Sequence, residues 1–299
     1  MSQNTPPPAT PAASFGMSDL ELESHPVSLA PQLLKGRTVV VSGGGSGIGR
    51  ATAWLAARLG ARVIVCGRTL EKVTRVREAL AARGLSCEAH ALDIRERAAV
   101  DALFADLFAR LGSVDLLVNS AGGQFPQAAV DFTEKGWRAV IETNLTGTFN
   151  MVQSVGRHWH AASSAGSIVS IVVSPRGLHQ VAHSSAARAG VAALSEALAV
   201  EWAPLGIRLN CVAPGAIVSE GWAVYRADIP HRYTQASPLR RAGTPWEVAE
   251  AVIFIGGPAG RFITGQTLHV NGGTNLWGET WTAGKPAWFS QASGAWDAP

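Results

Sequence analysis

Cysteine, charge and long apolar runs are scarce in this sequence, and each scarcity excludes a class of protein. The 299 residues include three cysteines, Cys66, Cys87 and Cys211. Their spacing matches neither a Cys-x-x-Cys pair nor a zinc motif, so we expect buried thiols in a reducing compartment and no metal site. Only 16% of the residues are charged, and the 25 basic residues nearly balance the 22 acidic ones, so we expect no nucleic-acid partner. No run reaches the roughly 18 apolar residues of a membrane-spanning helix, and we expect no membrane partner.

The two ends of the chain differ from its middle in composition. Residues 1–32 are rich in proline, alanine, serine and threonine, and we predict a disordered N-terminal arm. They contain no basic start followed by an apolar stretch, so we expect no secretory signal and predict a cytoplasmic location. The tail, residues 276–299, contains the tryptophans Trp277, Trp281, Trp288 and Trp296. These could cover a neighbouring subunit or close an apolar pocket, or they could pack on the surface as a C-terminal arm.

The middle of the chain, residues 33–275, alternates short β-branched runs with amphipathic segments. Residues 38–42 read Thr-Val-Val-Val-Ser, which is typical of a buried parallel strand, and residues 47–59 have a helical pattern. Similar pairs follow to the end, including one long predicted helix over residues 133–160. Such alternation favours right-handed crossovers and a parallel sheet. We therefore predict the α/β class, with a single Rossmann-type doubly wound parallel sheet and helices on both faces.

A glycine-rich turn separates the first predicted strand from the first helix. It reads Ser42-Gly43-Gly44-Gly45-Ser46-Gly47-Ile48-Gly49. Gly43 permits the tight turn, Gly47 lets the backbone approach a pyrophosphate, and Gly49 allows close packing of helix on strand. The free N–H groups and the positive dipole of the helix N-terminus favour phosphate. The turn therefore predicts a dinucleotide site, with Ser42, Ser46 and Ile48 beside the three glycines.

The second predicted strand ends without the carboxylate that would bind the adenosine ribose of NAD. The chain reads Cys66-Gly67-Arg68-Thr69 there, and Arg68 is placed to meet a 2′-phosphate. A charge-assisted contact contributes about 1.5–3 kcal/mol, and the missing carboxylate removes a repulsion against the phosphate. We therefore predict NADP(H) as the cofactor.

Four further motifs accompany the glycine-rich turn. They are Asp93-Ile94, Asn119-Ser120-Ala121-Gly122, Asn144 within Thr-Asn-Leu-Thr-Gly, and Asn210-Cys211-Val212-Ala213-Pro214-Gly215. Together they resemble the short-chain dehydrogenase/reductase family over residues 35–275. The resemblance implies that Asp93 and Ile94 flank the adenine, and that Asn144 bends its helix and holds a water of the proton relay. The other cofactor contacts that it implies are Asn119, Ala121, Gly122, Pro214, Gly215, Ile217 and Ser219.

The central motif of that family, a serine followed by Tyr-x-x-x-Lys, is altered in this chain. Alignment on Ala-Gly-Val at residues 189–191 puts Ser184 at the tyrosine position and Arg188 at the lysine position. A shift by one residue puts His183 and Ala187 there instead. Neither alignment restores the phenol and the ammonium group.

The chain has only two tyrosines, Tyr225 and Tyr233, in a segment where the family has a mobile lid. A serine hydroxyl is a far weaker acid than a phenol, and arginine does not deprotonate in proteins. The altered motif is therefore poorly suited to exchange between an alcohol and a ketone, unless a lid tyrosine reaches the site. It suits reduction of a conjugated C=C bond, where hydrogen-bond donors must mainly stabilise an enolate oxygen.

Five side chains are candidates for contact with the substrate or the reacting atoms. Arg188 could bind the nicotinamide ribose and stabilise an enolate, or form a surface ion pair. Ser184 could donate to the substrate oxygen, or cap its helix. His183 could donate a proton or contact the substrate, because it titrates near neutral pH, or it could be purely structural. Gln124 and Ser174 could line the substrate site.

A narrower resemblance supports the C=C reading. Residues 120–125, 142–149, 183–191 and 198–202 resemble the peroxisomal trans-2-enoyl-CoA and 2,4-dienoyl-CoA reductase branch of the family, which lacks the tyrosine. The resemblance implies NADPH-dependent reduction of an α,β-unsaturated thioester, including a CoA thioester, and dimers or tetramers paired through the long helices.

Two alternatives stay open. One is an alcohol dehydrogenase or ketoreductase of the same fold that acts on an apolar substrate with displaced catalytic groups. The other is a cofactor-binding subunit or sensor without catalytic activity.

Overall fold

A parallel sheet forms the centre of the computed structural model, which describes residues 15–174, 179–225, 236–276, 278, 281–286 and 289. Its seven strands have the order β3-β2-β1-β4-β5-β6-β7. They are β1 (Thr38–Ser42), β2 (Arg62–Gly67), β3 (Cys87–Ala91), β4 (Leu116–Asn119), β5 (Ser167–Ile171), β6 (Arg208–Pro214) and β7 (Thr267–Val270). Val39 and Val41 pack on one face of the sheet and Val40 on the other. Because both faces of β1 are covered, the strand is a continuous apolar run.

Helices cover both faces of the sheet. Within the described residues they are α1 (Asp19–Ser24), α2 (Gly47–Arg58), α3 (Leu70–Ala81), α4 (Arg97–Leu111), α5 (Glu134–Ile141), α6 (Gly147–Ala161), α7 (Ala182–Glu201) and α8 (Pro245–Gly256). The core on one face includes α2, α3 and α8, and the core on the other includes α4, α6 and α7. The predicted Rossmann-type doubly wound sheet is therefore confirmed. None of the described helices is long and apolar enough to cross a membrane.

The long helix predicted over residues 133–160 is interrupted. A π-helical turn, Glu142–Thr146, separates α5 from α6. The wholly buried Asn144 side chain turns towards Gly123, where its Oδ1 accepts from the backbone N–H and its Nδ2 donates to the carbonyl, each at 2.9 Å. Apolar periodicity continues through such a turn, so the pattern predicts one helix. The bend at Asn144 agrees with the expectation from the family resemblance.

The predicted disorder of residues 1–32 is wrong for residues 15–32. α1 begins after Ser18, whose hydroxyl accepts from Glu21 N at 3.2 Å in a capping box. Leu22 is 1% exposed in the core, and Arg58 Nη1 donates to the Leu22 carbonyl at 2.8 Å. A single buried leucine on a six-residue helix is too weak a signal against the polar, proline-rich composition around it. Residues 1–14 lie outside the described residues.

The tryptophan-rich tail is described in part. Trp281 contacts Phe289 edge to face, with ring centroids 4.8 Å apart. Trp277, Trp288 and Trp296 lie outside the described residues, so both interpretations of the tail stay predictions.

Candidate active site

A cleft of about 500 Å³ opens at the carboxyl ends of the strands. The chain reverses direction across the sheet between β1 and β4, and doubly wound sheets bind ligands at such a switch point. The predicted site residues that line the cleft are Gly43, Ser46, Gly47, Ile48, Ala121, Gly122, Gln124, Ser174, Arg188, Pro214, Gly215, Ile217 and Ser219. A side pocket of about 140 Å³ shares Gly43, Ser46, Ala121 and Gly122 with the cleft and adds Arg68, Asp93 and Ile94. The fold therefore brings residues from many strand ends into one depression.

The glycine-rich turn adopts a conformation that side chains would block. Gly43 has a φ of +71°, and a Cβ there would lie 2.6 Å from Ala121 N. A Cβ on Gly49 would collide with the Gly43 carbonyl, so α2 packs directly on the turn. Only glycine fits both positions, as predicted. The turn leaves space at the amino end of α2, which fits a dinucleotide phosphate.

An acidic side chain that the sequence analysis missed lies at this helix end. Glu220 Oε2 accepts from Gly47 N at 2.9 Å, and Glu220 Oε1 lies 3.7 Å from Arg50 Nη1. A helix N-terminus favours an anion, and here a carboxylate of the same chain meets that preference. No local motif signals the contact, because Glu220 lies 173 residues after Gly47.

The side pocket carries two cations, Arg68 and Lys72, in its wall. Asp93 also lines it and is held by Arg95, whose Nε lies 2.9 Å from Asp93 Oδ1 and whose Nη2 lies 2.5 Å from Asp93 Oδ2. These hydrogen bonds keep the pKa of Asp93 below its usual range. The cations of the pocket therefore favour an anionic group on a ligand.

Two predicted cofactor residues, Ser42 and Asn119, do not line the cleft or the side pocket. Both are buried at the ends of their strands. Ser42 Oγ accepts from Ala121 N at 3.5 Å, and Asn119 Nδ2 donates to Ser170 Oγ at 3.3 Å. They support the floor of the site, and their contact with the cofactor stays a prediction.

Arg188 places a guanidinium group in the wall of the cleft. Nη1 donates to the Ile171 carbonyl, and Nη2 lies where a Cβ on Gly122 would be. Among the described residues no carboxylate forms an ion pair with it, so the surface ion pair considered as an alternative is absent there. Burial lowers the pKa of Arg188 to about 10, and the group stays charged at neutral pH. The cleft therefore contains a partly buried cation that can stabilise negative charge.

Ser184 lies one turn before Arg188 on the same face of α7, yet it does not reach the cleft. It is 1% exposed, and its Oγ lies 3.4 Å from Asn144 Nδ2. A serine side chain ends one atom beyond Cβ, so its hydroxyl stops at Asn144, whereas the longer Arg188 side chain extends into the cleft. The structure therefore does not bring Ser184 to the cleft, and its contact with a substrate stays a prediction. Ser184 is not a helix cap either, since Val181 holds that position.

His183 packs in an aromatic cluster away from the cleft. Its ring stacks on Phe132 with centroids 4.5 Å apart and meets Phe125 edge to face at 4.4 Å. Nδ1 accepts from Ser184 N at 2.7 Å. Burial lowers the pKa of His183, and the carbonyls of Val181 and Phe125 oppose this only in part. This packing favours the purely structural alternative, and a role of His183 as proton donor stays a prediction.

The cleft contains a phenol that the altered motif does not supply. Tyr225, from the segment after β6, lines the cleft, and Gln124 Nε2 donates to its hydroxyl oxygen. Ser174 also lines the cleft. The structure therefore brings Tyr225 to the site, and the prediction for Tyr233 lies outside the described residues.

Comparison with known proteins identifies the family. A family model described as enoyl-(acyl carrier protein) reductase matches residues 43–275. The chain belongs to the short-chain dehydrogenase/reductase family. It is 34% identical over 255 residues to the peroxisomal 2,4-dienoyl-CoA reductase of Danio rerio, an alignment that covers 83% of this chain and 84% of that one.

Two solved structures of the short-chain dehydrogenase/reductase fold extend the comparison. The citronellol catabolism dehydrogenase of Pseudomonas aeruginosa PAO1 has a TM-score of 0.75 and 37% identity, and covers 83% of this chain and 98% of that one. The gluconate 5-dehydrogenase of Burkholderia cenocepacia J2315, in complex with NADP and tartrate, has a TM-score of 0.77 and 32% identity, and covers 82% and 97%. The relatives thus include proteins named for C=C chemistry and for alcohol chemistry.

As a short-chain dehydrogenase/reductase, the chain is an oxidoreductase of a family that binds a nicotinamide cofactor. The glycine cradle at Gly43 and Gly49 fits the cofactor phosphates, and the cleft at Pro214 and Gly215 lies beyond it. In the part of the chain that the structure describes, no group of three or more His, Cys, Asp or Glu side chains could hold a metal ion.

Proposed function

We propose that this protein is an NADPH-dependent reductase of an activated C=C bond, acting on a trans-2-enoyl thioester such as an enoyl-CoA. The observation that carries the proposal is the partly buried Arg188 cation that lines the cleft, where the family's tyrosine position holds a serine that does not reach it. Similarity to a 2,4-dienoyl-CoA reductase supports the substrate class.

The chemistry that the proposal requires matches what the side chains of the cleft can do. A nicotinamide cofactor held by the glycine-rich turn would supply the hydride that the β-carbon of the substrate needs. Arg188 then stabilises the negative charge on the thioester oxygen without giving up a proton. Asn144 holds the Gly123 backbone through two hydrogen bonds, and this keeps the loop beside Arg188 in place. Gln124 lines the substrate end of the cleft in this proposal.

NADP(H) is proposed in preference to NAD(H). Arg68 and Lys72 in the side pocket are suited to a 2′-phosphate. The carboxylate of that pocket, Asp93, is held by Arg95, so its charge is offset. The cofactor contacts proposed in the cleft are those of Ser46, Gly47 and Ile48 with the phosphates, and of Pro214, Gly215, Ile217 and Ser219 with the nicotinamide. A phosphate at Gly47 N would replace the Glu220 carboxylate that accepts from it in this structure.

The test is NADPH oxidation by the purified protein, followed by absorbance, with crotonyl-CoA and trans-2-decenoyl-CoA beside ketones and aldehydes of matched chain length. We expect oxidation with the enoyl thioesters. Arg188→Met should lower kcat by about a hundredfold to a thousandfold, the typical cost of a lost oxyanion donor. Arg157→Met, at an exposed site on α6, is the matched control and should change kcat little. Oxidation with the carbonyl compounds alone would overturn the proposal.

A second candidate is an alcohol dehydrogenase or ketoreductase for an apolar substrate. Two observations favour it: the Tyr225 phenol in the cleft and the similarity to a citronellol catabolism dehydrogenase. If a phenol is the proton donor, Tyr225→Phe should lower carbonyl turnover by about a hundredfold or more. If the substrate is an enoyl thioester, the same change should have a much smaller effect on kcat. NADPH binding without turnover of either class would support a catalytically silent subunit or sensor.

We also propose a cytoplasmic location and a homo-oligomer, dimer or tetramer, paired through the long helices. On α7, pairing requires exposed small or apolar residues, and the sequence predicts Ala186, Ala189 and Val191 among them. Ala186 and Ala189 are exposed, whereas Val191 is buried within the subunit, contrary to that prediction. Light scattering of the purified protein measures the oligomeric state, and Ala186→Arg should shift that state towards the monomer. A monomer in the unaltered protein would contradict this part.

A further inference from the structure

A second cavity of about 500 Å³ lies behind the wall of the cleft. The two cavities share three lining residues, Val172, Val173 and Arg188. His269 of β7 lines the second cavity and is exposed to solvent, whereas Ser174 lines the cleft. The Ser174 Oγ and His269 Nδ1 atoms are 3.5 Å apart. This pair of side chains therefore connects the two cavities through their common wall.

Asn271 determines the hydrogen bonding of the Ser174 hydroxyl. Asn271 Oδ1 accepts from Gly273 N at 3.0 Å, which assigns the amide nitrogen to the side that faces Ser174. Nδ2 donates to Ser174 Oγ at 3.0 Å and to Asn275 Oδ1 at 2.8 Å. Both ends of this buried amide thus have partners, and its orientation is fixed.

A serine hydroxyl has one proton and two acceptor sites. Because Asn271 donates to one acceptor site of Ser174, the hydroxyl proton is available for His269 Nδ1 or for a group in the cleft. The imidazole nitrogen can act as donor or acceptor, depending on its protonation. Ser174 can therefore receive a proton from His269 while it gives its own proton to a substrate.

We propose that Ser174 and His269 form a proton relay from the second cavity to the substrate. The relay rests on the function proposed above, and it supplies a proton donor that Arg188 cannot be, since arginine does not deprotonate in proteins. The substrate has gained a hydride at its β-carbon, and the electron pair of its C=C bond lies on the enolate. The Ser174 O–H bond breaks as a C–H bond forms at the α-carbon. The His269 Nδ1–H bond breaks as a new Ser174 O–H bond forms, and neutral His269 regains a proton from water.

The surroundings of His269 decide whether its charge can change. The charged side chains that line the second cavity with it are Arg188 and Glu196, both from α7. The neighbouring strand places Ala213 beside it, and the turn after β7 contributes Asn275, so neither adds a charge. One cation and one anion face the imidazole. Because the imidazolium form of His269 is the proton donor of the relay, the proton supply through the relay should fall as pH rises.

The first test compares His269→Gln with His160→Gln, a matched change at an exposed histidine of α6. Glutamine keeps a hydrogen-bond donor but cannot titrate. The unaltered enzyme should lose kcat as pH rises, because the imidazolium is the proton source. We expect His269→Gln to lower kcat about tenfold or more and to remove this pH dependence, and His160→Gln to leave both unchanged. An unchanged kcat and pH profile in His269→Gln would overturn the relay.

The second test is chemical rescue. His269→Ala should lose kcat, and added imidazole should restore it, because the second cavity is open to solvent at His269. The double variant His269→Ala/Ser174→Ala should not be rescued, since the bridge to the cleft is missing. A structural role of His269 alone would leave the single variant insensitive to imidazole. Absence of rescue in the single variant, or rescue of the double variant, would contradict the relay.

A third measurement separates the relay from the proposed substrate and needs no turnover. NMR titration of the His269 imidazole, in the unaltered protein and in Ser174→Ala, should give different midpoints because the hydroxyl contact is lost. Identical midpoints would count against the relay. If the enoyl thioesters are not reduced but a carbonyl acceptor is, the proposed function fails, and the pH profile with that acceptor still tests the relay.

Discussion

Arg68 should set the choice between NADP and NAD. The side chain follows β2 and is exposed in the wall of the side pocket. Two unit charges about 4 Å apart interact by about 4 kcal/mol at an effective dielectric constant of about 20, and by about 1 kcal/mol in bulk water. Because Arg68 is exposed, the lower half of this range applies. About 1.5–2 kcal/mol corresponds to about 10–30-fold in affinity, and we expect Arg68→Met to raise the Kd of NADPH by that factor.

The measurement is calorimetric titration of the purified protein with NADPH and with NADH. The Kd of NADH should change little, because NADH lacks the 2′-phosphate. Lys72 stays in the same pocket wall, so Arg68→Met/Lys72→Met should weaken NADPH binding further. Arg62→Met, at the opposite end of β2, is the matched control. An unchanged NADPH affinity, or an equal loss for both cofactors, would refute the reasoning.

Buried polar contacts elsewhere in the fold lead to three more predictions. Asn144→Ala leaves both backbone groups of Gly123 without their buried partner and should lower the free energy of unfolding in urea by about 2–4 kcal/mol; no change would show that the loop relaxes without cost. Arg208→Met removes hydrogen bonds to five backbone carbonyls around the end of α8 and should cost at least about 2 kcal/mol in the same assay; an unchanged unfolding midpoint would contradict this. Burial raises the pKa of Glu247, but hydrogen bonds from Arg241 and the helix cap lower it more, so its net pKa is below the ordinary 4.5. The stabilisation by Glu247 should be complete above pH 4.5 and be lost as pH falls through the folded-state pKa. The free energies of unfolding of the unaltered protein and of Glu247→Gln should therefore converge in acid. A difference that stays constant with pH would disprove this prediction.

The glycine-rich turn and Arg68 show which parts of the site could be predicted from sequence. In both cases the chemistry depends on residues next to each other in the chain, directly after a strand. A tight turn demands glycine at Gly43 whatever the rest of the chain does, because a Cβ there meets backbone. Arg68 reaches the side pocket because the end of β2 is next to the end of β1 in the sheet.

The catalytic end of the site shows where prediction from sequence stopped. Alignment places Ser184 at the family's tyrosine position, but it does not show how far a side chain extends from that position. The serine side chain ends at Asn144, below the cleft. His183 has the chemistry of a proton donor, and its packing against Phe125 and Phe132 removes it from the cleft. How deeply a side chain is buried depends on which residues pack over it, and the residue type alone does not determine this.

By itself, the sequence determined the doubly wound sheet and the glycine-rich turn after its first strand, because periodicity and turn chemistry act over a few neighbouring residues. Only the tertiary structure decided which distant side chains meet there. It brought Tyr225 to Gln124, Glu220 to the start of α2, and His269 to Ser174. Each of these contacts joins residues about a hundred or more positions apart. No pattern of neighbouring residues indicates such a contact, because it depends on how the whole chain packs.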